Sequence, residues 1–178
     1  MQSGTIGDGQ ISASSHFDAN HAAKQGRLHF QATGTLKGGW SAVRNDANQW
    51  LQVYLGCESF VITAVATQGR NGCCHQWVTK YNLQYNDDKK NFQYYREQGE
   101  SIKIFDGNTN PDSVVYHEFN PPIKARYIRF RPVAWKNHVS MRVEVYGCSK
   151  GEAFTSNFNN RSRYSISYLE HKKYFKVQ

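Results

Sequence analysis

Residues 78–85 contain a run in which polar and apolar side chains alternate, and this pattern constrains the fold more than any other feature. The alternation runs through Lys80, Tyr81, Asn82, Leu83, Gln84 and Tyr85. Successive side chains point to opposite faces only in an extended strand, so the segment predicts a β-strand with one buried face. The same alternation predicts strands at 49–55, through Leu51, Val53 and Leu55, and at 141–146, through Met141, Val143 and Val145.

A fourth segment, FVITAVATQ at 60–68, is apolar almost throughout and rich in β-branched residues. Such a run is typical of a strand covered on both faces. Clusters of turn-forming residues separate these strands, at 38–39, 45–46, 69–72, 86–88, 107–111 and 120–122. Many short strands with this punctuation predict an all-β sandwich or barrel.

The chain has 178 residues and a formal net charge of +8. That length suits one domain with a proper core, and the charge favours anionic partners such as sulfated glycans, acidic lipids or nucleic acid. There is no apolar run of membrane-spanning length, and residues 1–15 are polar, so neither a transmembrane helix nor a signal peptide is predicted. If the protein is exported, its signal lies outside this chain.

Four cysteines, Cys57, Cys73, Cys74 and Cys148, permit three complete pairings that the sequence does not separate. The neighbours Cys73 and Cys74 are awkward to bridge to each other, whereas either of them paired with Cys57 would fix the intervening loop. Zinc is disfavoured because CxxC-like spacing is missing and only His75 stands close. Disulfides and buried thiols both remain open.

Six segments occur in an order and spacing that resemble one known family, the discoidin or coagulation factor V/VIII C-type domains. They are QWLQVYLG at 49–56, ITAVATQGR at 62–70, QWVTKYNLQYN at 76–86, IFDGNTN at 104–110, FNPPIKARYIRFRP at 119–132 and MRVEVYGC at 141–148. The resemblance implies a discoidin-type jelly-roll β-sandwich (galactose-binding-like) of eight strands over residues 1–148, with ligand loops at one end. Residues 149–178 are expected to form a basic, aromatic tail or linker, which contains the glycosylation triplet Asn160-Arg161-Ser162.

In this family three end loops, called spikes, form the ligand site. The resemblance places spike one at 16–27, spike two at 30–39 and spike three at 70–76. Sugar recognition needs planar donors and amide or carboxylate acceptors, and these loops supply both. The candidate ligand-binding residues are His16, Asp18, Asn20, His21, Lys24, Lys37, Arg70, Asn71 and His75.

Arg70 is the leading candidate, because a guanidinium can hold two oxygens and this one directly follows a predicted strand. Trp40, Trp50, Trp77 and Trp135 lie in or beside strand segments and are expected to fill the core or its rim. Arg126, Arg129 and Arg142 lie in strands and are expected to make structural ion pairs or face solvent rather than touch ligand.

We expect a non-enzymatic, extracellular or cell-surface module that binds cell-surface glycans or glycoproteins and serves in adhesion. Catalytic motifs are missing from the sequence, and nucleic acid is disfavoured because a sandwich buries most of its aromatic residues. No cofactor is required, although relatives with this fold hold structural calcium, for which Asp18, Asn20 and Glu144 are the nominal ligands.

The alternative is a module that uses the same loops to bind phosphatidylserine or other acidic membranes, and a third class is recognition of proteins or heparin-like polymers in adhesion. Insertion into a membrane needs large apolar residues at the loop tips with basic residues behind them. The tips offer Phe17, Ala22, Ala23 and Leu36, and the basic residues are Lys24, Arg27, Lys37 and Arg70. The basic ring is therefore present, but the apolar wedge is thin.

Overall fold

The structure is a computed structural model, and it describes residues 1–97 and 101–149. Within them, ten strands and three short 3-10 helices follow one another. The strands are β1 (Ile11–Ala13), β2 (Trp40–Ser41), β3 (Leu51–Tyr54), β4 (Phe60–Gln68), β5 (Trp77–Asn86), β6 (Gln93–Tyr94), β7 (Phe105–Asp106), β8 (Val115–Ala125), β9 (Tyr127–Lys136) and β10 (Ser140–Ser149). The 3-10 helices are Asp8–Gln10, Ala19–His21 and Ala23–Gly26.

The strands form two antiparallel sheets. One has the order β1-β3-β9-β5-β6, with β7 also paired to β5, and the other has the order β2-β10-β4-β8. The described residues thus contain ten strands, two more than the eight that the resemblance implies, and the two-residue strands β6 and β7 both attach to β5. The predicted all-β sandwich is therefore confirmed.

The core lies between the sheets and follows the alternation in the sequence. Leu83 of β5, Phe130 of β9, Val65 of β4 and Val143 of β10 belong to one buried apolar cluster. The segment at 60–68 is buried continuously from Ala64 to Gln68, as expected for a strand covered on both faces. Each fully buried aliphatic side chain contributes about 1.5–3 kcal/mol, so this cluster is the main stabilising element.

The tryptophans also behave as expected. Trp40 is fully buried and donates its indole N–H to the Ser15 carbonyl oxygen at 2.8 Å, while Trp50, Trp77 and Trp135 are partly buried. They serve the core and its rim.

A turn was expected at 120–122, but β8 continues through these residues. Ile62 pairs with Ile123 whereas Ala64 already pairs with Glu118, so the chain bulges between them instead of reversing. Pro121 and Pro122 have no N–H to donate, which is compatible with a bulge in a strand at the sheet edge.

The helices in the described part of the chain have only three or four residues, so none of them is long enough to cross a membrane. The predicted tail, with the triplet at Asn160, lies outside the described residues apart from the backbone of Ser149.

Candidate functional site

The three predicted spikes converge at one end of the sandwich through backbone hydrogen bonds. Lys37 N donates to Asn20 O at 2.9 Å, which joins spike two to spike one, and Asn71 N donates to Gly38 O at 2.8 Å, which joins spike three to spike two. A Cβ at Gly38 would lie 2.3 Å from Asn71 O, so only glycine permits this approach. The loops therefore form one continuous surface.

Arg142 holds this surface onto the scaffold from within. Its side chain is fully buried and donates to three carbonyl oxygens, those of Gly69, Phe30 and Pro111, at 2.6, 2.8 and 2.7 Å. Its charge is balanced by Asp112, whose carboxylate lies 2.8 Å from Nη2. Burial lowers the pKa of Arg142, and Asp112 opposes that effect. One strand residue thus ties together the segments that lead into spikes two and three.

A cleft of about 80 Å³ opens between spikes one and three, and we name it the Arg70 cleft. It is lined by Phe17, His21, Ser41, Arg70, Gln76 and His138. Arg70 forms its floor with only 6% of its surface exposed, and Nη1 donates to Gln76 Oε1 at 2.7 Å. Its buried Nε has no hydrogen-bond partner among the described residues. Burial lowers the pKa of Arg70, and the Asp18 carboxylate opposes this.

Phe17 stands at the mouth of the cleft with 59% of its surface exposed. Two histidines hold its ring edge-to-face: His21 at a centroid distance of 5.3 Å and His138 at 5.9 Å. His138 is fixed in turn, because its Nε2 lies 2.8 Å from Ala42 O. The exposed aromatic face therefore has a defined orientation beside the polar floor.

His21 is oriented by Asp18. Its Nδ1 lies 2.7 Å from Asp18 Oδ1, and the same oxygen accepts from Asn20 N, capping the 3-10 helix. The hydrogen bond from His21 is the largest cause of the lowered pKa of the Asp18 carboxyl. Since Nδ1 is committed to the carboxylate, Nε2 is the ring nitrogen left for a ligand.

A second cavity, the spike groove, has a volume of about 250 Å³ and is lined by residues 32–34, 36–38 and 70–73. It shares Arg70 with the Arg70 cleft, and it contains two further predicted site residues, Lys37 and Asn71. The Asn71 side chain is held by Asp112, because Nδ2 donates to Oδ1 at 3.0 Å. The two cavities are neighbours on either side of one guanidinium.

The structure therefore brings His21, Arg70, Lys37 and Asn71 into the cavities, with Asp18 and Asn20 behind them. The other predicted residues lie outside both linings. His16 is exposed, the Lys24 Nζ lies 4.0 Å from an Asp8 oxygen, and the His75 ring packs edge-on against Trp77. These assignments all stay predictions.

The predicted calcium ligands are engaged elsewhere: Asp18 with His21, and Glu144 with the backbone N–H of Gln2 at 2.8 Å. No group of three or more His, Cys, Asp or Glu side chains suited to a metal occurs within the described ranges. The calcium site stays a prediction.

The expectation that Cys73 and Cys74 do not bridge to each other is wrong, since the structure joins them in a disulfide. The crest turns sharply, with positive φ angles at Gly72, Cys74 and His75, and this backbone allows adjacent sulfurs to meet. Cys57 is a free, exposed thiol and Cys148 a free, partly buried one, so a bridge from spike three to Cys57 is excluded in this structure.

Sequence reasoning missed three residues of the cleft, Gln76, His138 and Ser41, and it considered Phe17 only as a membrane-inserting tip. Ser41 is almost completely buried and shares a hydrogen bond with Ser140. His138 lies between β9 and β10, outside the three spikes. The connection between β9 and β10 reaches the same end as spike three, because Trp77 pairs with Lys136. A predicted pairing of β5 with β9 would have indicated that His138 lies near spike three.

Comparison with known proteins agrees with the fold. The model of the F5/8 type C domain matches residues 10–145. Discoidin II of Dictyostelium discoideum has 33% sequence identity and a TM-score of 0.70, over 78% of this chain and 54% of that chain. This chain thus spans about half the length of discoidin II.

Two bacterial modules share the fold at lower identity. The family 32 carbohydrate-binding module of Clostridium perfringens NanJ, described in complex with galactose, has 18% identity and a TM-score of 0.55, over 79% of this chain and 96% of that one. A chitosan-binding module of a Paenibacillus chitosanase/glucanase has 20% identity and a TM-score of 0.54, over 77% of this chain and 93% of that one.

Proposed function

The chain belongs to the F5/8 type C, or discoidin, domain family, and on this premise we propose that it is a non-catalytic module that binds glycans at the Arg70 cleft. The observation that carries the proposal is the exposed ring of Phe17 in the same small cleft as the side chain of Arg70. An apolar surface next to a few fixed polar groups is the arrangement that small-ligand sites use.

A hexose presents an apolar face of C–H groups and an edge of hydroxyls, and the cleft matches both. The Phe17 ring offers the apolar surface, and the two histidines prevent its rotation away from the cleft. Preorganisation of this kind reduces the entropy lost on binding. The sugar is expected to stack on Phe17 with its hydroxyls directed to the floor.

The floor supplies donors and acceptors to those hydroxyls. Arg70 has five N–H groups, of which Nη1 is bonded to Gln76 and Nη2 contacts the Cys73 sulfur at 3.5 Å. His21 contributes Nε2 as an acceptor when neutral. A hydroxyl both donates and accepts, so it can bridge these two residues without any cofactor.

Galactose-type sugars are our first choice, and cell-surface glycans the expected source. The support is the NanJ module, whose structure contains galactose, and the disulfide at Cys73–Cys74, which is typical of proteins from oxidising compartments. Membrane insertion is less favoured, because Phe17 is the only large exposed apolar residue among the predicted tips, and Leu36 is partly buried.

A glycan array tests the proposal with wild type, Phe17→Ala and the matched control Ile104→Ala. Ile104 is similarly exposed at 52% but lies next to β7, outside both cavity linings. Wild type and the control should bind the same galactose-containing glycans, and Phe17→Ala should lose them. Equal binding by all three proteins, or no binding to any glycan, would reject the proposal.

Sedimentation with phosphatidylserine vesicles distinguishes the alternative. Binding to vesicles that is lost in both Phe17→Ala and Leu36→Ser, without any glycan binding, would identify a membrane module instead. We expect the protein to remain in the supernatant.

A further inference from the structure

The spike groove contains a positively charged side chain, Lys37, that does not line the Arg70 cleft. Its lining contains two cations, Lys37 and Arg70, and no acidic residue. Asp18 interacts electrostatically with both cations and offsets part of their charge. Asp112, which approaches through Asn71, is paired with Arg142. The groove is therefore left with an excess of positive charge.

The groove is also built before any ligand arrives. The Gly38–Asn71 bridge joins its two walls, and Asn71 Oδ1 accepts from Ala32 N at 3.2 Å. Thr33 and Leu36 close the turn of spike two by a pair of backbone hydrogen bonds. The walls are thus held by contacts between spikes, and a ligand need not order them.

The two cavities are joined through Arg70. Its guanidinium contacts Gln76 in the Arg70 cleft through Nη1 and Cys73 in the spike groove through Nη2. A ligand that fills the cleft therefore has a neighbouring cavity within reach of its next residue or substituent. The groove, at about 250 Å³, is also the larger of the two.

We propose that the spike groove is a subsite for an acidic group, a sulfate carried by the glycan whose neutral sugar sits in the Arg70 cleft. This inference rests on the proposed function and adds its ligand class. Lys37 supplies the point charge, and Arg70, whose Nη2 contacts Cys73 of the groove lining, supplies a directed hydrogen bond to the anionic oxygens.

The acidic group that fits the groove belongs to a glycan rather than to a phospholipid. A phospholipid headgroup would bring acyl chains that need large exposed apolar residues beside the groove. The groove walls contain Leu36, which is partly buried, and otherwise small or polar residues. An acidic sugar needs no such apolar surface.

Isothermal titration with lactose, 3′-sulfated lactose and 6′-sulfated lactose tests the subsite in wild type, Lys37→Gln and Lys124→Gln. Lys124→Gln is the control, because it removes the same charge far from the groove. Lys124 pairs with Val61 near the start of β4, whereas Arg70 follows Gln68 at the end of that strand. At least one sulfated lactose should bind wild type roughly tenfold more tightly than lactose. Lys37→Gln should remove that advantage while retaining lactose binding, and Lys124→Gln should retain both.

The failures are distinguishable. If lactose binds and neither sulfated form binds more tightly, or if Lys37→Gln keeps the advantage, the subsite is refuted while the proposed function stands. If neither lactose nor its sulfated forms bind, both are refuted. Phosphatidylserine vesicles that bind only when Lys37 is intact, with no preference for sulfated lactose, would assign the groove to lipid and overturn the inference.

Discussion

Arg70 Nη1 donates to Gln76 Oε1 across 2.7 Å, and the same oxygen accepts from Ser140 Oγ at 3.2 Å. Gln76, which itself lines the cleft, therefore connects Arg70 to Ser140 of β10 and orients the guanidinium. Arg70 and Gln76 also close spike three through Arg70 N and Gln76 O at 2.9 Å. The orientation of the leading ligand-binding residue thus depends on a residue at the other end of its loop.

Gln76→Leu should lower glycan affinity by roughly tenfold, because Arg70 loses the acceptor that orients it. Gln76→Glu keeps an acceptor at the same distance and should restore most of the affinity, which a merely space-filling role would not predict. Titration against the best glycan from the array provides the measurement. If Gln76→Leu binds as tightly as wild type, Gln76 does not position Arg70.

Arg142→Met should reduce the free energy of unfolding by about 3–5 kcal/mol, because it leaves buried carbonyl oxygens and the Asp112 charge without their partner. Arg126→Met is the matched control. Arg126 is partly exposed and donates to Gly56 O at 3.1 Å and the Tyr54 hydroxyl at 3.3 Å. Its loss should cost much less, because water can reach this side chain and replace its partners. Urea denaturation measures both, and equal losses would contradict the role assigned to Arg142.

Arg142 also shows what strand alternation does not predict: whether a side chain on the outer face of a sheet is buried. Alternation correctly placed Met141, Val143 and Val145 on the core face, so Arg142 had to lie on the other one. Burial on that outer face comes from the loops at Phe30 and Pro111, which cover it from distant parts of the chain. Strand periodicity carries no information about such loops, so the structural role of Arg142 was predictable only as one of two alternatives.

The residues of the candidate site also divide into those that the sequence predicted and those that it did not. The resemblance located the spikes and Arg70, because these lie next to strands with recognisable sequences. It placed Gln76 in spike three without giving it a role, and it left His138 outside the spikes, since the contribution of both residues to the cleft depends on how β9, β10 and spike three meet in space. Lys24 and His75 lie in the predicted spikes, but their side chains contact Asp8 and Trp77 instead. Position in a loop does not determine the direction of a side chain.

Stability should fall below about pH 4 partly through Asp112. The hydrogen bond from Asn71, followed by the interaction with Arg142, lowers its pKa in the folded state. A lowered folded pKa stabilises the protein above the unfolded value of about 3.9, and this contribution disappears as pH falls through the folded value. Thermal unfolding should be followed from about pH 2 to about pH 7. The melting temperature of Asp112→Asn should fall less steeply at acid pH than that of wild type.

Glu118→Gln is the control for that experiment, because Glu118 is an exposed residue of β8 and forms no ion pair within the described residues. Its acid limb should follow that of wild type. An Asp112→Asn protein with an unchanged pH profile would mean that Asp112 is equally easy to protonate in the folded and unfolded chain.

The Cys73–Cys74 disulfide should support ligand binding rather than the stability of the core. Cys73 lines the spike groove and its sulfur contacts Arg70 Nη2, while both cysteines are exposed at the crest of spike three, outside the buried cluster. Replacing both by serine removes the covalent link across a turn with positive φ at Cys74. We expect a several-fold loss of affinity for sulfated lactose with little change in melting temperature, whereas Cys57→Ser should change neither.

Alkylation without reductant, read by mass spectrometry, should modify the exposed Cys57 but not Cys73 or Cys74. Alkylation of the neighbouring pair, or full affinity in the double serine variant, would contradict this role.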